Sequence, residues 1–178
     1  VCLDDYLVLG QPTPGQPIAL PIMADLSRRH AAIRREGGAY VLEPIHATVV
    51  DDRTLTGPVV LNDRQVIQLG DGVKLRFRRP HALSSTATLK IESGHKTQPS
   101  ADGVILLADS CVIGPNSHCH VDAPKWPHDV ILYRQADRLM CRTAGQVTVN
   151  EAAARGPAAI EPGSRVEGDD FALTLEQA

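Results

Sequence analysis

Val66-Ile67-Gln68-Leu69-Gly70-Asp71-Gly72-Val73-Lys74-Leu75-Arg76-Phe77 holds two short apolar runs parted by a glycine-bearing interruption. In the second run, Lys74-Leu75-Arg76-Phe77 alternates polar and apolar residues, which sends each class to its own face of a strand. The habit recurs along the chain at Tyr6–Leu9, Tyr40–Leu42, Thr48–Val50, Val59–Leu61, Ala87–Ile91 and Val104–Leu107. It continues at Val130–Tyr133, Arg138–Cys141, Val147–Val149 and Phe171–Leu175. The 13 Pro and 14 Gly are scattered between these runs rather than clustered. Period two with frequent turns predicts an all-β sandwich or barrel. Two segments compete. Asp25 to Glu36 places Leu26, His30 and Ile33 at helical spacing with Gly37 as a C-cap, and Glu151 to Arg155 contains three alanines.

Composition narrows the class. At 178 residues the chain makes one large domain or two small ones. Hydrophobic residues are 43% and charged residues 22%, an ordinary globular balance that excludes a disordered chain. No run of about 18 apolar residues offers a membrane helix. With 18 Lys+Arg against 21 Asp+Glu and only 3% aromatics, neither a basic footprint nor a base-stacking surface is expected, so no nucleic acid is. The chain starts at Val1 with no signal-peptide pattern, and reads as a piece of a longer protein with a cytoplasmic location expected. Cys2, Cys111, Cys119 and Cys141 lack CxxC spacing and read as free thiols in a reducing compartment.

The chain also repeats itself. Val50-Asp51-Asp52, Val59–Asp63, Val66–Leu69 and Asp71–Phe77 have counterparts in Val149-Asn150-Glu151, Ala158–Gly163, Arg165–Gly168 and Asp169–Leu175. The offset is 99 residues (Asp51 to Asn150, Ile67 to Val166) and falls to 98 in the last run, while His30 and His128 also stand 98 apart. Duplication of one β domain predicts a first copy at 1–79, a linker at 80–83 around Arg78-Arg79-Pro80-His81, and a second copy at 84–178. Ser93–Gly103 is expected to be a loop between the first two strands of the second copy.

The first copy resembles the forkhead-associated (FHA) domain. The resemblance rests on Val8-Leu9-Gly10-Gln11, on Leu26-Ser27-Arg28-Arg29-His30-Ala31-Ala32-Ile33, on Thr48–Asp52 and on Leu69-Gly70-Asp71-Gly72. It covers most of residues 1–79, with the family's first strand missing or partly present at Val1. Copy two offers Cys111–Pro115, Trp126–Ile131, Val149–Glu151 and Pro162–Ser164, a diverged version of the same pattern. The resemblance implies two tandem FHA-type β-sandwiches, each a meander of about eleven strands with its loops gathered at one end. It also implies a non-catalytic protein-interaction module whose partner is a protein or a phosphothreonine peptide.

In the family, the Arg of a Gly-Arg, the Ser of Ser-Arg-x-His and a Thr-Asn pair hold the phosphate, and the His ties loops together. Carried onto this chain, Ser27, Arg28, Arg29, Gln11 and His46 are the expected phosphopeptide contacts. Gly10, His30, Gly114 and His128 are the expected structural positions. The family Arg has become Gln11, which donates but carries no charge, and the Thr-Asn pair has become Ile45-His46. Asp51-Asp52 replaces an Asn-Gly and is expected to bring negative charge near the phosphate, offset by Arg28, Arg29, Arg34 and Arg35 if these share a face. In copy two the Arg position is Pro115 and the Ser position is Lys125. The alternative expectation is a structural scaffold that reads no phosphate.

Other constellations carry less. His118-Cys119-His120 near Cys111 has zinc-ligand chemistry. Alternation along a strand would send Cys119 away from both histidines, so no metal or other cofactor is expected, and the histidines are read as solvent-facing beside a buried thiol. Trp126 is read as packing under a loop. No nucleophile triad, phosphate loop or HExxH helix is present, so no enzyme is expected. Oligomeric state is left open.

Overall fold

Alternation becomes strand throughout. The computed structural model describes residues 1–13, 15, 18–81, 83–169 and 171–175, and these contain twenty strands and no helix. The chain is all-β, as expected. It divides into two compact units, Val1–Arg79 with Ala87–Leu107, and Pro80–Thr86 with Ala108–Ala178. None of the described residues forms a helix long and apolar enough to cross a membrane.

The first unit comprises β1 (Tyr6–Gly10), β2 (Leu20–Pro21), β3 (Ala31–Glu36), β4 (Ala39–Pro44), β5 (Thr48–Val50), β6 (Arg53–Thr54), β7 (Val59–Val60), β8 (Val66–Leu69), β9 (Val73–Arg78), β10 (Ala87–Ile91) and β11 (Gly103–Leu106). One sheet runs β2-β1-β3-β4-β7 and the other β11-β10-β9-β8-β5-β6. Alternate residues point inward, and Leu7, Leu9, Ile33, Tyr40, Leu42, Ile67, Leu69, Leu75, Phe77 and Leu89 join one buried cluster. Each buried Leu, Ile or Phe contributes about 1.5–3 kcal/mol. Lys74 and Arg76, on the opposite face of β9, meet solvent.

Two expectations are corrected here. Asp25–Glu36 is not helical: residues 25–30 form a loop and Ala31–Glu36 is the central strand between β1 and β4. Hydrogen bonding to a strand on each side outweighs a helical spacing carried by three residues. The first unit also does not end at residue 79. β10 pairs antiparallel with β9 and β11 with β10, so the two strands expected to open the second copy complete the sheet of the first unit. Ser93 to Asp102 is thus the loop of a hairpin seated on the first unit. Sequence cannot reveal this, because any free strand edge offers the same row of N–H and C=O groups.

The second unit holds β12 (Ser110–Gly114), β13 (Val121–Asp122), β14 (Val130–Gln135), β15 (Arg138–Thr143), β16 (Val147–Val149), β17 (Ala152–Ala154), β18 (Ala158–Ile160), β19 (Arg165–Glu167) and β20 (Ala172–Thr174). Its sheets run β13-β12-β14-β15-β18 and β17-β16-β19-β20. The three-alanine segment is β17, turned back on β16 through Asn150 and Glu151, both at positive φ (51° and 68°). Asp51 and Asp52 make the matching turn (45° and 65°), a conformation that Asn and Asp tolerate best among non-glycines. The side chains match too. Val66 N–H donates to Asp51 Oδ1 and Arg165 N–H to Asn150 Oδ1, each at 2.9 Å and offset by the same 99 residues.

Cys111 and Cys141 lie in the interior of the second unit, 0% and 1% exposed. Burial pushes their thiols up to about 12 and about 11. An unfolded thiol ionises from about pH 8.5. The unfolded state therefore loses these protons first, and stability falls as pH rises above that value. Between pH 7 and 10 each thiol is expected to cost the unit on the order of 1 kcal/mol. Urea titrations at the two pH values, with Cys111→Ala and Cys141→Ala as flattened controls, check this. A second unit equally stable at both would show the thiols to be solvated.

Candidate functional site

β1 ends at Gly10, and the backbone of the loop before β3 lies directly against it. A Cβ on Gly10 would stand 2.1 Å from the Arg28 carbonyl oxygen and 2.7 Å from that of Ser27. Gln11 N–H donates to Ser27 O at 3.1 Å, and His30 N–H to Leu9 O at 2.8 Å. The Ser27–His30 segment is therefore pinned to the end of β1 by main-chain contacts.

His30 is the hub of this end of the unit. Only 4% exposed, it places Nε2 2.8 Å from Ala47 O, while Ser27 N–H points at Nδ1 at 3.4 Å. Gly70 N–H lies 3.1 Å from Nε2 but also 3.0 Å from Ala47 O. One tautomer satisfies all three: Nε2–H donates to Ala47 O, Gly70 donates to the same carbonyl, and Nδ1 accepts from Ser27. The His30 carbonyl accepts from the N–H groups of Ile45 and His46. The His46 ring lies 5.6 Å from the His30 ring, and Thr48 Oγ1 donates to His46 O at 2.9 Å. Loops at 25–30, 45–47 and 70 thus converge on one imidazole.

On this frame, Ser27 is half-buried, and Gln11, Arg28, Arg29 and His46 are exposed. All five expected contact residues lie on loops tied to Gly10 and His30. The side chains of Arg28 and Arg29 make no hydrogen bond or ion pair among the described residues. Arg34 and Arg35 do not join them. Both sit on β3, where Arg34 pairs with Glu36 at 2.9 Å and Glu43 at 3.1 Å, and Arg35 pairs with Asp5. Strand geometry hands these two cations to carboxylates on β3, on β4 and just before β1. The expected four-arginine face is reduced to two.

Asp51-Asp52 is also relocated. The loop at 45–47 enters β5 at its start, whereas the two aspartates turn the chain at its far end, about 10 Å away at 3.3 Å per residue. There Asp51 accepts from Val66 N–H and Gln65 Nε2 and closes the turn. The carboxylates on the site's own loops are Asp25 and Asp71, which sequence reading passed over. Both flank contacts of the hub, since a Cβ on Gly70 would lie 3.3 Å from Leu26 and 3.8 Å from Asp25 O.

The second unit lacks this hub. Strand register sets Asp129, not His128, in front of β14 where His30 precedes β3. His128 is exposed, so its expected structural role is corrected: the 98-residue spacing misses the strand register by one. A Cβ on Gly114 would fall 2.1 Å from Asp129 Oδ1, so a larger residue there would make the Asp129 side chain shift. Pro115 and Lys125 are exposed, and Trp126 packs on Phe171 with ring centres 4.8 Å apart. His120, read as solvent-facing, is 5% exposed. It accepts from Val112 N–H at 3.0 Å and meets Ser84 Oγ at 3.1 Å, and burial, then His81, lowers its pKa. Its place just before β13 is the signal that was available.

Residues 115–120 form a turn rather than a strand, so the alternation expected of His118, Cys119 and His120 does not apply. His118, Cys119 and Asp129 bring one ligand atom each within 4.8 Å of one another. Cys119 Sγ donates to Asp129 Oδ1 at 3.7 Å, which occupies two of the three groups with each other.

The family model for the FHA domain matches residues 7–70. That stretch runs from β1 to the hub contact at Gly70 and contains every expected contact of the first unit. The FHA domain is a protein-interaction domain that binds phosphorylated peptides of proteins and is generally non-catalytic. The second unit lies outside the matched residues. No curated protein and no solved structure matches the chain.

Proposed function

We propose that the loop end of the first unit holds a phosphorylated threonine presented by a partner protein. Arg28 supplies the charged donor, Ser27 Oγ and the Gln11 amide supply neutral ones, and Arg29 and His46 line the rim. The observation that carries this reading is the combination at Ser27–Arg28: a backbone locked on Gly10 and His30, bearing a cation with no partner among the described residues. A phosphate carries about −1.5 to −2 charge and three acceptor oxygens, and an unpaired guanidinium on a rigid loop suits it. The second unit is a diverged copy that reads no phosphate, since Pro115 has no N–H to give and Asp129 stands where a hub histidine would. This makes the chain a non-catalytic interaction module of a signalling or scaffold protein.

The test is a phosphothreonine peptide library titrated residue by residue by NMR. Shifts are expected at Ser27–His30, absent with the unphosphorylated peptide. A charge-assisted hydrogen bond contributes about 1.5–3 kcal/mol. Arg28→Ala is therefore expected to weaken binding at least ~10-fold, Ser27→Ala less, and Gln11→Arg to strengthen it. Equal binding by wild type and Arg28→Ala would end this reading. The neutral Gln11, with Asp25 and Asp71 on the same loops, favours the second reading, a scaffold without phosphate recognition. No shift anywhere, and no gain from Gln11→Arg, would establish that one.

A further inference from the structure

Where β12 ends in the second unit, two polar side chains crowd one glycine. The place that a Gly114 Cβ would take lies 2.1 Å from Asp129 Oδ1 and 3.2 Å from Cys119 Sγ. Backbone contacts fix both groups. Cys119 closes a turn by donating its N–H to Asn116 O at 3.0 Å, and the N–H of His120 reaches Val112 O on β12 at 2.9 Å. Asp129 immediately precedes β14, whose Val130 faces Ile113 of β12. Cys119 is 0% exposed and Asp129 half-buried, while His118, one residue earlier on the same turn, is exposed.

These three side chains offer a nitrogen, a sulfur and an oxygen, all within 4.8 Å of one another. Tetrahedral bonds of about 2.0–2.3 Å to a central ion would set such atoms roughly 3.3–3.8 Å apart. Cys119 Sγ and Asp129 Oδ1 already stand 3.7 Å apart. Thiol and carboxylate thus hold the spacing of two ligands on one ion, with the thiol proton in the ion's place. His118 has to close in by on the order of 1 Å, which an exposed side chain on a turn achieves by rotation. Asp122, across from Gly114 on β13, adds a second negative charge near Cys119. Hard cations such as Ca²⁺ and Mg²⁺ take oxygen ligands. A mixed nitrogen, sulfur and oxygen set selects a borderline ion, with Zn²⁺ foremost.

The first unit carries different chemistry at these places. Strand register aligns Gly10 with Gly114 and Ile18 with Cys119, and His30 stands where Asp129 does. There the His30 imidazole ties the loops together, and the second unit lacks that hub.

We propose that His118, Cys119 and Asp129 bind one divalent cation of the zinc class, which ties the 115–120 turn to the start of β14 as His30 ties the loops of the first unit. On binding, the Cys119 proton leaves to solvent. Thiolate and carboxylate together balance the double positive charge, and neutral His118 gives a lone pair. Three protein ligands leave the fourth position to water, on the exposed side of His118.

The full chain, stripped with a chelator, is titrated with Co²⁺ alone and then with Zn²⁺ alone. Co²⁺ is expected to raise a thiolate-to-cobalt charge-transfer band, which Zn²⁺ abolishes by displacement. His118→Ala, at an exposed position, and Cys119→Ser are each expected to weaken Zn²⁺ binding at least ~10-fold, since even an outer partner of a ligand is worth that much. Cys2→Ala and Cys141→Ala are expected to leave the band intact. With Zn²⁺ bound, NMR signals of His118–His120 and Asp129 are expected to shift while those of Ser27–His30 stay in place. Absence of the band, its survival in Cys119→Ser, or unchanged affinity in His118→Ala would overturn the proposal, because each leaves the ion unbound or held elsewhere.

Discussion

Gly10→Ala is expected to destabilise the first unit by about 3 kcal/mol, the upper range for forcing atoms into a filled space. The new Cβ would meet backbone on its crowded side: Arg28 O at 2.1 Å, Arg28 C at 2.6 Å and Ser27 O at 2.7 Å. No side-chain rotation relieves that, so either β1 or the loop before β3 must move. Moving the loop breaks the Gln11 N–H to Ser27 O bond and pulls Ser27 from Nδ1 of His30. Phosphopeptide binding is expected to disappear with it. Urea titration by circular dichroism measures the stability, and NMR of Ser27–His30 reports the loop. Gly57→Ala, at a site with nothing within 4 Å, is the control and is expected to change stability by no more than about 0.5 kcal/mol. If Gly10→Ala behaves like Gly57→Ala, the loop does not rest on β1.

Phe77→Ala is expected to cost about 3–5 kcal/mol, the range for deleting a buried aromatic ring. Phe77 is 0% exposed, meets the Tyr40 ring edge-on at 5.4 Å and lies opposite Leu89 of β10. The ring therefore joins the two sheets and also seats the hairpin. The urea midpoint should fall with an unchanged slope, and the amides of β10 should exchange faster than those of β3. A loss below about 1 kcal/mol would mean that the interior collapses around the missing ring rather than depending on it.

These two variants test different kinds of information. Phe77 was legible: alternation along Val73–Phe77 marked it as inward, and β9 is found at Val73–Arg78. The runs at Thr48–Val50, Val66–Leu69, Ala87–Ile91 and Val147–Val149 coincide with β5, β8, β10 and β16. Gly10, Ser27 and His30 were legible through a family resemblance, because three residue types at fixed spacing mark a loop that closes on itself. What periodicity misread was Ala31–Glu36, where Ala31, Ala32 and Ile33 are all buried and no alternation shows.

The charges were less legible than the core. Arg28, Arg29, Arg34 and Arg35 look alike along the chain, yet the last two are neutralised by Glu36, Glu43 and Asp5 while the first two stay available. Asp51-Asp52 looked like part of the site because a sequence does not say which end of β5 the site occupies.

Local chemistry was enough to make this chain a set of short strands joined by tight turns, since side-chain alternation and turn preferences act within a few residues. The 99-residue repeat of its pattern and the loop bearing Ser27 and His30 were readable in the order of residues alone. Which sheet receives β10 and β11, and which arginines keep their charge for a ligand, was decided only in three dimensions. Main-chain edges carry no address, and an ion pair depends on a partner that the fold brings alongside, as it does Asp5 and Glu43.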